Sequence, residues 1–294
     1  MQDSPFVGRE QELVRLQTIL DKALAGQGQV CFVAGAAGSG KSALVERFTA
    51  RALSRDPHLV VATGACDAQI GLGDPYLPFR EALAMLVGAS GAARGAATNA
   101  TNASRLKVAL AVSAQVLFEV APDLIGLVVP GANLVGEVGK ALAEKAGWTD
   151  QLKKQVQAKG RAAAAGEVVD QSRIFEQYAA FLHRLSQKTP LVLFLDDLHW
   201  ADNPSVALLF HLGRQVQASR ILILGAYRPH EVALGRDGGR HPLEAAVHEL
   251  ARYQGEVVID LDSIPERACR AFVDALIDAE PNCLGEPFRS ALYH

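Results

Sequence analysis

The chain has 294 residues, a formal net charge of −3 and 49% hydrophobic residues. That length suits one large domain or one and a half, and the acidic balance argues against a general nucleic-acid-binding surface. The most apolar region, Val108 to Ala143, is broken by Glu119, Pro122, Asp123, Pro130 and Glu137, so it lacks the uninterrupted length of a membrane span. Cys31, Cys66, Cys269 and Cys283 have no metal-like spacing and read as reduced thiols. The start, MQDSPFVGRE, has no apolar core, so a cytoplasmic protein is expected.

In chain order, Phe6 to Glu10 leads into a helix with Leu13, Leu16, Ile19/Leu20 and Ala23/Leu24 on one face. Ala25 to Gly28 ends it. Val30 to Ala34 is an apolar run of strand length, followed by a glycine-rich loop and a helix reaching about Ser54. His58 to Thr63 is a second strand candidate, Cys66 to Pro78 a loop, and Phe79 to Val87 a helix. Residues 88–170 read as a helical insertion between two strands, with a flexible hinge as the competing reading. Within it, Gly88 to Ala103 is low-complexity and reads as a mobile surface segment, and Leu106 to Val120 as a helix stopped by Pro122. Leu134 to Ala146 and Asp150 to Lys159 are weaker helices, and 161–166 is either helix or linker.

Ser172 to Ser186 is amphipathic, with Ile174, Tyr178, Phe181/Leu182 and Leu185 inward. After Thr189-Pro190, Leu191 to Leu195 is wholly apolar, as buried parallel strands are. It runs into Asp196-Asp197-Leu198-His199-Trp200-Ala201-Asp202, and Asn203-Pro204 then begins a helix with Asn203 expected at the cap. That helix carries Leu208, Leu209, Leu212 and Val216 on its apolar face. Ile221 to Gly225 is a strand leading to Ala226-Tyr227-Arg228-Pro229. Leu234 to Pro242 is a loop, Leu243 to Leu250 a short helix, Glu256 to Leu261 a last strand, and Pro265 to Ala279 helical. Strands alternating with helices predict an α/β fold, a three-layer αβα sandwich around a five-stranded, mainly parallel sheet.

The chemistry gathers at Gly35-Ala36-Ala37-Gly38-Ser39-Gly40-Lys41-Ser42, a G-x-x-x-x-G-K-S loop between strand and helix. Its glycines let backbone N–H groups approach phosphate oxygens, and the helix beginning near Ala43 adds the positive end of its dipole. Lys41 supplies a point charge for the outer phosphates and the Ser42 hydroxyl a ligand for magnesium. Asp196, at the end of a neighbouring strand, is the expected second magnesium ligand, and Asp197 the expected general base for an attacking water. Alone, the two acids would be read as caps of a strand-to-helix turn. Arg228 is placed to meet a γ-phosphate, against the alternative of a surface salt bridge. Arg214 and Arg220 read as solvated, with an arginine-finger role the minority reading. His199 has no obvious partner, and Trp200 reads as packing the turn.

Phe6 to Glu10, GAAGSGKS at 35–42, LVLFLDDLHWAD at 191–202 and ILILGAYRP at 221–229 together resemble the signal-transduction ATPases of the STAND class, within the AAA+-like P-loop ATPases. The DDLHWAD stretch is similar to the ATPase modules of large LuxR-type bacterial transcription regulators and of those joined to cyclases or protein kinases. The resemblance covers about 6–90 and 170–294. It implies that the Arg228 strand lies between the phosphate-loop and Asp196 strands, and that Val7, Gly8 and Arg9 lie against adenine. ATP and ADP with Mg2+ are the implied ligands, and a slowly hydrolysing, nucleotide-dependent switch the implied role, assembling into a homo-oligomer when activated. A core at 1–262 with the beginning of a helical lid at 263–294 is expected, with output or sensor domains beyond the present C-terminus. Three other readings remain: a module that holds nucleotide without hydrolysing it, a small-molecule kinase, and a loader of DNA machinery, which the acidic balance and the lack of a basic stripe weigh against. No membrane or direct nucleic-acid partner is expected.

Overall fold

The computed structural model describes residues 9–68, 75–88, 100–128, 170–234, 239–262, 274, 277–278 and 284–293. The expectations for Val7 and Gly8, for the weaker insertion helices at 134–146 and 150–159, for Cys269 and Cys283, and for most of the 265–279 helix lie outside these residues.

Among the described residues, five strands form one sheet: β1 (Gln29–Ala34), β2 (Val60–Ala65), β3 (Leu191–Asp196), β4 (Ile221–Tyr227) and β5 (Val258–Asp260). They lie in the order β2-β3-β4-β1-β5, and every pairing is parallel. The Arg228 strand therefore separates the phosphate-loop strand from the Asp196 strand, as the resemblance implies. Parallel neighbours need long crossovers, and the intervening helices supply them.

Period-two alternation sends each strand's side chains to opposite faces. Cys31, Val33, Val192, Phe194, Leu222 and Leu224 pack with Leu13, Leu16 and Leu20 of α1 (Glu10–Leu24) and with Leu44, Val45 and Phe48 of α2 (Lys41–Arg55). Val30, Phe32, Leu191, Leu193, Leu195, Ile221 and Ile223 pack on the other face. There they meet α3 (Leu77–Leu86), α4 (Ala100–Val120), α5 (Leu124–Val128), α6 (Gln171–Ser186), α7 (Asn203–Gln215) and α9 (Pro242–Gln254). Short α8 (Pro229–Leu234) follows β4, and α10 is Glu286–Tyr293. Among the described residues, no helix is long and apolar enough to cross a membrane.

Several boundaries differ from expectation for local reasons. β2 starts two residues late because the Asp56 side chain accepts from the His58 amide at 2.8 Å, holding 56–58 in a turn. The cap of α7 is Asp202, whose carboxylate accepts from the Ser205 amide at 2.8 Å; Asn203 is already helical. β4 runs to Tyr227 because Ala34 pairs with it. The end of the low-complexity segment is not a mobile surface: α4 begins at Ala100 and buries Asn102 completely. Asn102 Nδ2 donates to Val61 O at 2.8 Å and Oδ1 accepts from Val61 N at 3.0 Å. Its amide thus imitates a neighbouring strand along the sheet-edge strand β2. Arg105, one turn on, donates to Leu53 O, Asp56 O and Leu59 O and fixes α4 to the end of α2.

Candidate functional site

In a parallel sheet all strand C-termini open on one edge. The register pairs Ala34 with Tyr227 and Asp260, and Leu195 with Gly225. Gly35, Asp196, Arg228 and Leu261 therefore leave the sheet side by side. With β4 between them, β1 and β3 are two strand spacings apart, about 10 Å. Gly225 lets the turn after β3 lie close over β4, since a Cβ there would meet Leu198 at 2.6 Å and Phe32 at 2.7 Å.

The loop after β1 turns on Gly38 and Gly40, with φ of +77° and +89° and open space where a Cβ would stand. Helix α2 starts at Lys41 with no side-chain cap, so its first-turn amides lack helical acceptors. Lys41 bends back over the loop, its Nζ donating to Gly35 O at 2.9 Å and Ala36 O at 2.7 Å. Burial, and then the Arg228 charge, lower its pKa; Asp196, Asp197 and Asp262 act the other way. Ser39 Oγ is buried and without a hydrogen-bond partner among the described residues.

Two contacts brace the loop from the far side of the sheet. Arg9 Nη2 donates to Leu261 O at 2.7 Å and to Ser39 O at 3.3 Å, while Nη1 pairs with Glu12 at 3.0 Å. Asp262 Oδ1 accepts from the Ala36 amide at 2.8 Å. The resemblance implies that Arg9 borders a base; in this structure its guanidinium ties the loop to the end of β5.

The acids sit differently from each other. Asp196 ends β3, and its Oδ1 accepts from the Asp197 amide at 2.8 Å. Burial and the neighbouring Asp197 charge raise its pKa, against the pull of Lys41 and Arg228. Asp197 is in the left-handed region, φ +52°, a conformation that costs free energy in a non-glycine residue and concentrates at functional sites. A 3₁₀ turn, Leu198–Trp200, follows and carries His199 into the interior at 2% exposure. Arg228 Nη1 pairs with Glu231 Oε1 at 2.7 Å, and its Nε is buried without a partner among the described residues.

Neither Arg214 nor Arg220 is loose. Arg214 lies over the Phe210 and Tyr253 rings, 5.9 and 5.2 Å from their centroids. Arg220 donates to Ser186 O at 3.0 Å and Gln187 O at 2.8 Å, capping the end of α6. Sequence reasoning missed Glu231, Asp262 and the burial of His199. Glu231 carries a signal in hindsight, three residues beyond Arg228 at the start of a helix. Asp262 carries none.

This edge suits a polyphosphate and a hard divalent cation. The loop has orphan amides, two glycines with open space above them and an ammonium that, among the described residues, is hydrogen-bonded only to the loop's own carbonyls. The half-buried Asp196 carboxylate, disfavoured as an anion, is the kind of oxygen ligand such a cation compensates. Among the described residues no cluster of three or more His, Cys, Asp or Glu could hold a metal alone.

The AAA ATPase domain family matches residues 5–224 of the chain. No curated protein matches it. The match spans β1 with its phosphate loop, both acids and most of β4, and the chain belongs to that family.

Proposed function

We propose that this AAA ATPase domain binds ATP with magnesium and hydrolyses it slowly, using the ATP/ADP difference as a signalling switch of the STAND kind. In this reading Gly35 to Ala43 wrap the phosphates, Lys41 leaves the loop carbonyls for the outer phosphate oxygens, and Ser42 and Asp196 hold the magnesium. Magnesium, when bound, would neutralise charge on the bridging and terminal oxygens. Asp197 takes a proton from water as the water oxygen bonds to the γ-phosphorus; the bond to the β–γ bridging oxygen breaks, giving ADP and phosphate. Arg228 exchanges Glu231 for the γ-phosphate and so separates ATP from ADP. Arg9, with Val7 and Gly8, borders the base.

The observation that carries the reading is the register of the parallel sheet, which brings the loop of Lys41, the acids Asp196 and Asp197, and Arg228 to one edge at the ends of β1, β3 and β4. Family membership supports nucleotide use. The DDLHWAD stretch favours a regulator of the LuxR or cyclase-associated type, with a core at 1–262, a lid beginning at 263–294 and assembly of copies in the ATP state. A module that holds nucleotide without turnover is the second reading. The strained Asp197 favours it, lying 3.8 Å from His199 Nε2. Phosphate release from ATP decides between them. Hydrolysis that disappears in Lys41→Ala and Asp197→Asn, with ATP still bound by the latter, supports the first. Bound ATP with no release in the wild type supports the second.

A further inference from the structure

The reading above sets Arg9 beside a base and leaves its guanidinium without a task, yet that group is buried and fully engaged. The residue is 8% exposed and stands just before α1, its carbonyl accepting from the Leu13 amide. Its planar fork reaches three separate segments. Nη1 pairs with Glu12 Oε1 of α1 at 3.0 Å. Nη2 carries two hydrogens and meets two backbone carbonyls, Leu261 O after β5 at 2.7 Å and Ser39 O in the phosphate loop at 3.3 Å.

The Ser39 contact has a directional consequence. In a trans peptide the C=O and the following N–H point opposite ways in one plane. With Ser39 O turned inward onto Arg9, the Gly40 N–H is turned outward, and it has no acceptor among the described residues. Gly40 is exposed and lies in the left-handed region, φ +89°. The Gly35–Ala36 peptide obeys the same rule. Lys41 Nζ takes its carbonyl at 2.9 Å and Asp262 its amide at 2.8 Å, so that plane is held at both ends. Among the described residues the Ser39–Gly40 plane is held at its carbonyl end alone, by Arg9, and its N–H is left for a ligand. Gly35 allows this closeness, since a Cβ there would meet Ser39 Oγ at 2.5 Å and Leu261 Cβ at 3.2 Å.

We propose that Arg9 is a positioning residue for the polyphosphate: by holding Ser39 O against the end of β5 it aims the Gly40 N–H at the side of the loop where phosphate binds. The inference rests on the nucleotide-binding reading and gives the Arg9 side chain a task separate from any contact with a base. Glu12 orients the fork and Leu261 O anchors it to the sheet. Without the guanidinium the Ser39–Gly40 plane is free to rotate, and ordering it is charged to ligand binding. The loss is therefore in affinity for the phosphate chain, and it is the same whether or not a base is attached. Lysine keeps the positive charge but gathers its donors on one nitrogen of a flexible stem, so it does not reproduce a planar fork set between Glu12 and two carbonyls.

The test is calorimetric titration of the full chain with tripolyphosphate, ATP and adenosine, each with magnesium, in the wild type, Arg9→Lys and Arg9→Met. Both variants should bind tripolyphosphate and ATP about tenfold more weakly than wild type, the size of one hydrogen bond to a charged group. Adenosine affinity should stay within about twofold. If thermal melting shows Arg9→Met unfolded, Arg9→Lys, which keeps the charge and most of the stem, decides alone. Wild-type tripolyphosphate affinity in Arg9→Lys overturns the proposal. So does a loss shared by all three ligands, the mark of a merely structural role, or one seen with ATP and adenosine but not with tripolyphosphate, the mark of a base contact. A wild type that binds neither ATP nor tripolyphosphate removes the nucleotide-binding reading itself, an outcome distinct from the others.

Discussion

The Asp262 carboxylate accepts a hydrogen bond from the Ala36 amide at 2.8 Å, so the segment after the edge strand β5 holds the second residue of the phosphate loop. The same carboxylate is within electrostatic reach of Lys41. It steadies the loop and at the same time repels the anion the loop is built for. Asp262→Asn keeps an acceptor and removes the charge, so ATP affinity should rise about twofold to threefold at low ionic strength and lose that gain in high salt. Asp262→Ala also loses the anchor and should bind more weakly than Asp262→Asn. Titration with a fluorescent ATP analogue at two salt concentrations measures both. Equal affinities for the two variants would show that the hydrogen bond is immaterial.

A second expectation concerns Asp196. Its folded pKa lies above the ordinary value of 3.8, chiefly through burial and then through Asp197. The folded protein therefore holds this proton more firmly than the unfolded chain does. Its contribution to stability is greatest below 3.8 and is lost as pH rises to the folded pKa and the carboxylate ionises. Asp196→Asn should accordingly stabilise the nucleotide-free protein at neutral pH, by about 1 kcal/mol, the size of an ordinary single-residue effect. The gain should shrink in acid. Thermal melts across that range test it, and a variant less stable than wild type at neutral pH would contradict it.

Asn102 gives a third. Asn102→Ala leaves the outward N–H and C=O of Val61 without the side-chain partner they now have. Two such losses in a buried setting should cost about 3 kcal/mol in urea unfolding. A loss under about 1 kcal/mol would mean that other groups or water cover the edge of β2.

Much of this was legible in the chain, because the informative segments report on their own neighbourhood. Leu191 to Leu195 is apolar throughout since both faces of β3 are covered, and G-x-x-x-x-G-K-S needs only the strand before it and the helix after. Asn102 was hidden because small polar residues around it read as surface, while its partner lies 41 residues away on an edge strand. Asp262 was hidden likewise, its contact with Ala36 spanning 226 residues. His199 stood in a stretch already singled out. Its burial depends on the left-handed turn at Asp197 and on α8 packing over it, neither of which local composition encodes. Arg9 shows another long-range contact hidden from the chain: its guanidinium ties Ser39 to Leu261, the latter 252 residues away.

The central claim is that one magnesium is shared by Ser42 on the phosphate loop and Asp196 on the strand two places away. ATP affinity measured with magnesium and with chelator tests it most directly, in the wild type, Ser42→Ala and Asp196→Asn. Magnesium should strengthen ATP binding by about tenfold or more in the wild type, roughly 1.4 kcal/mol, and by little in either variant. The same magnesium enhancement in all three proteins would contradict the account.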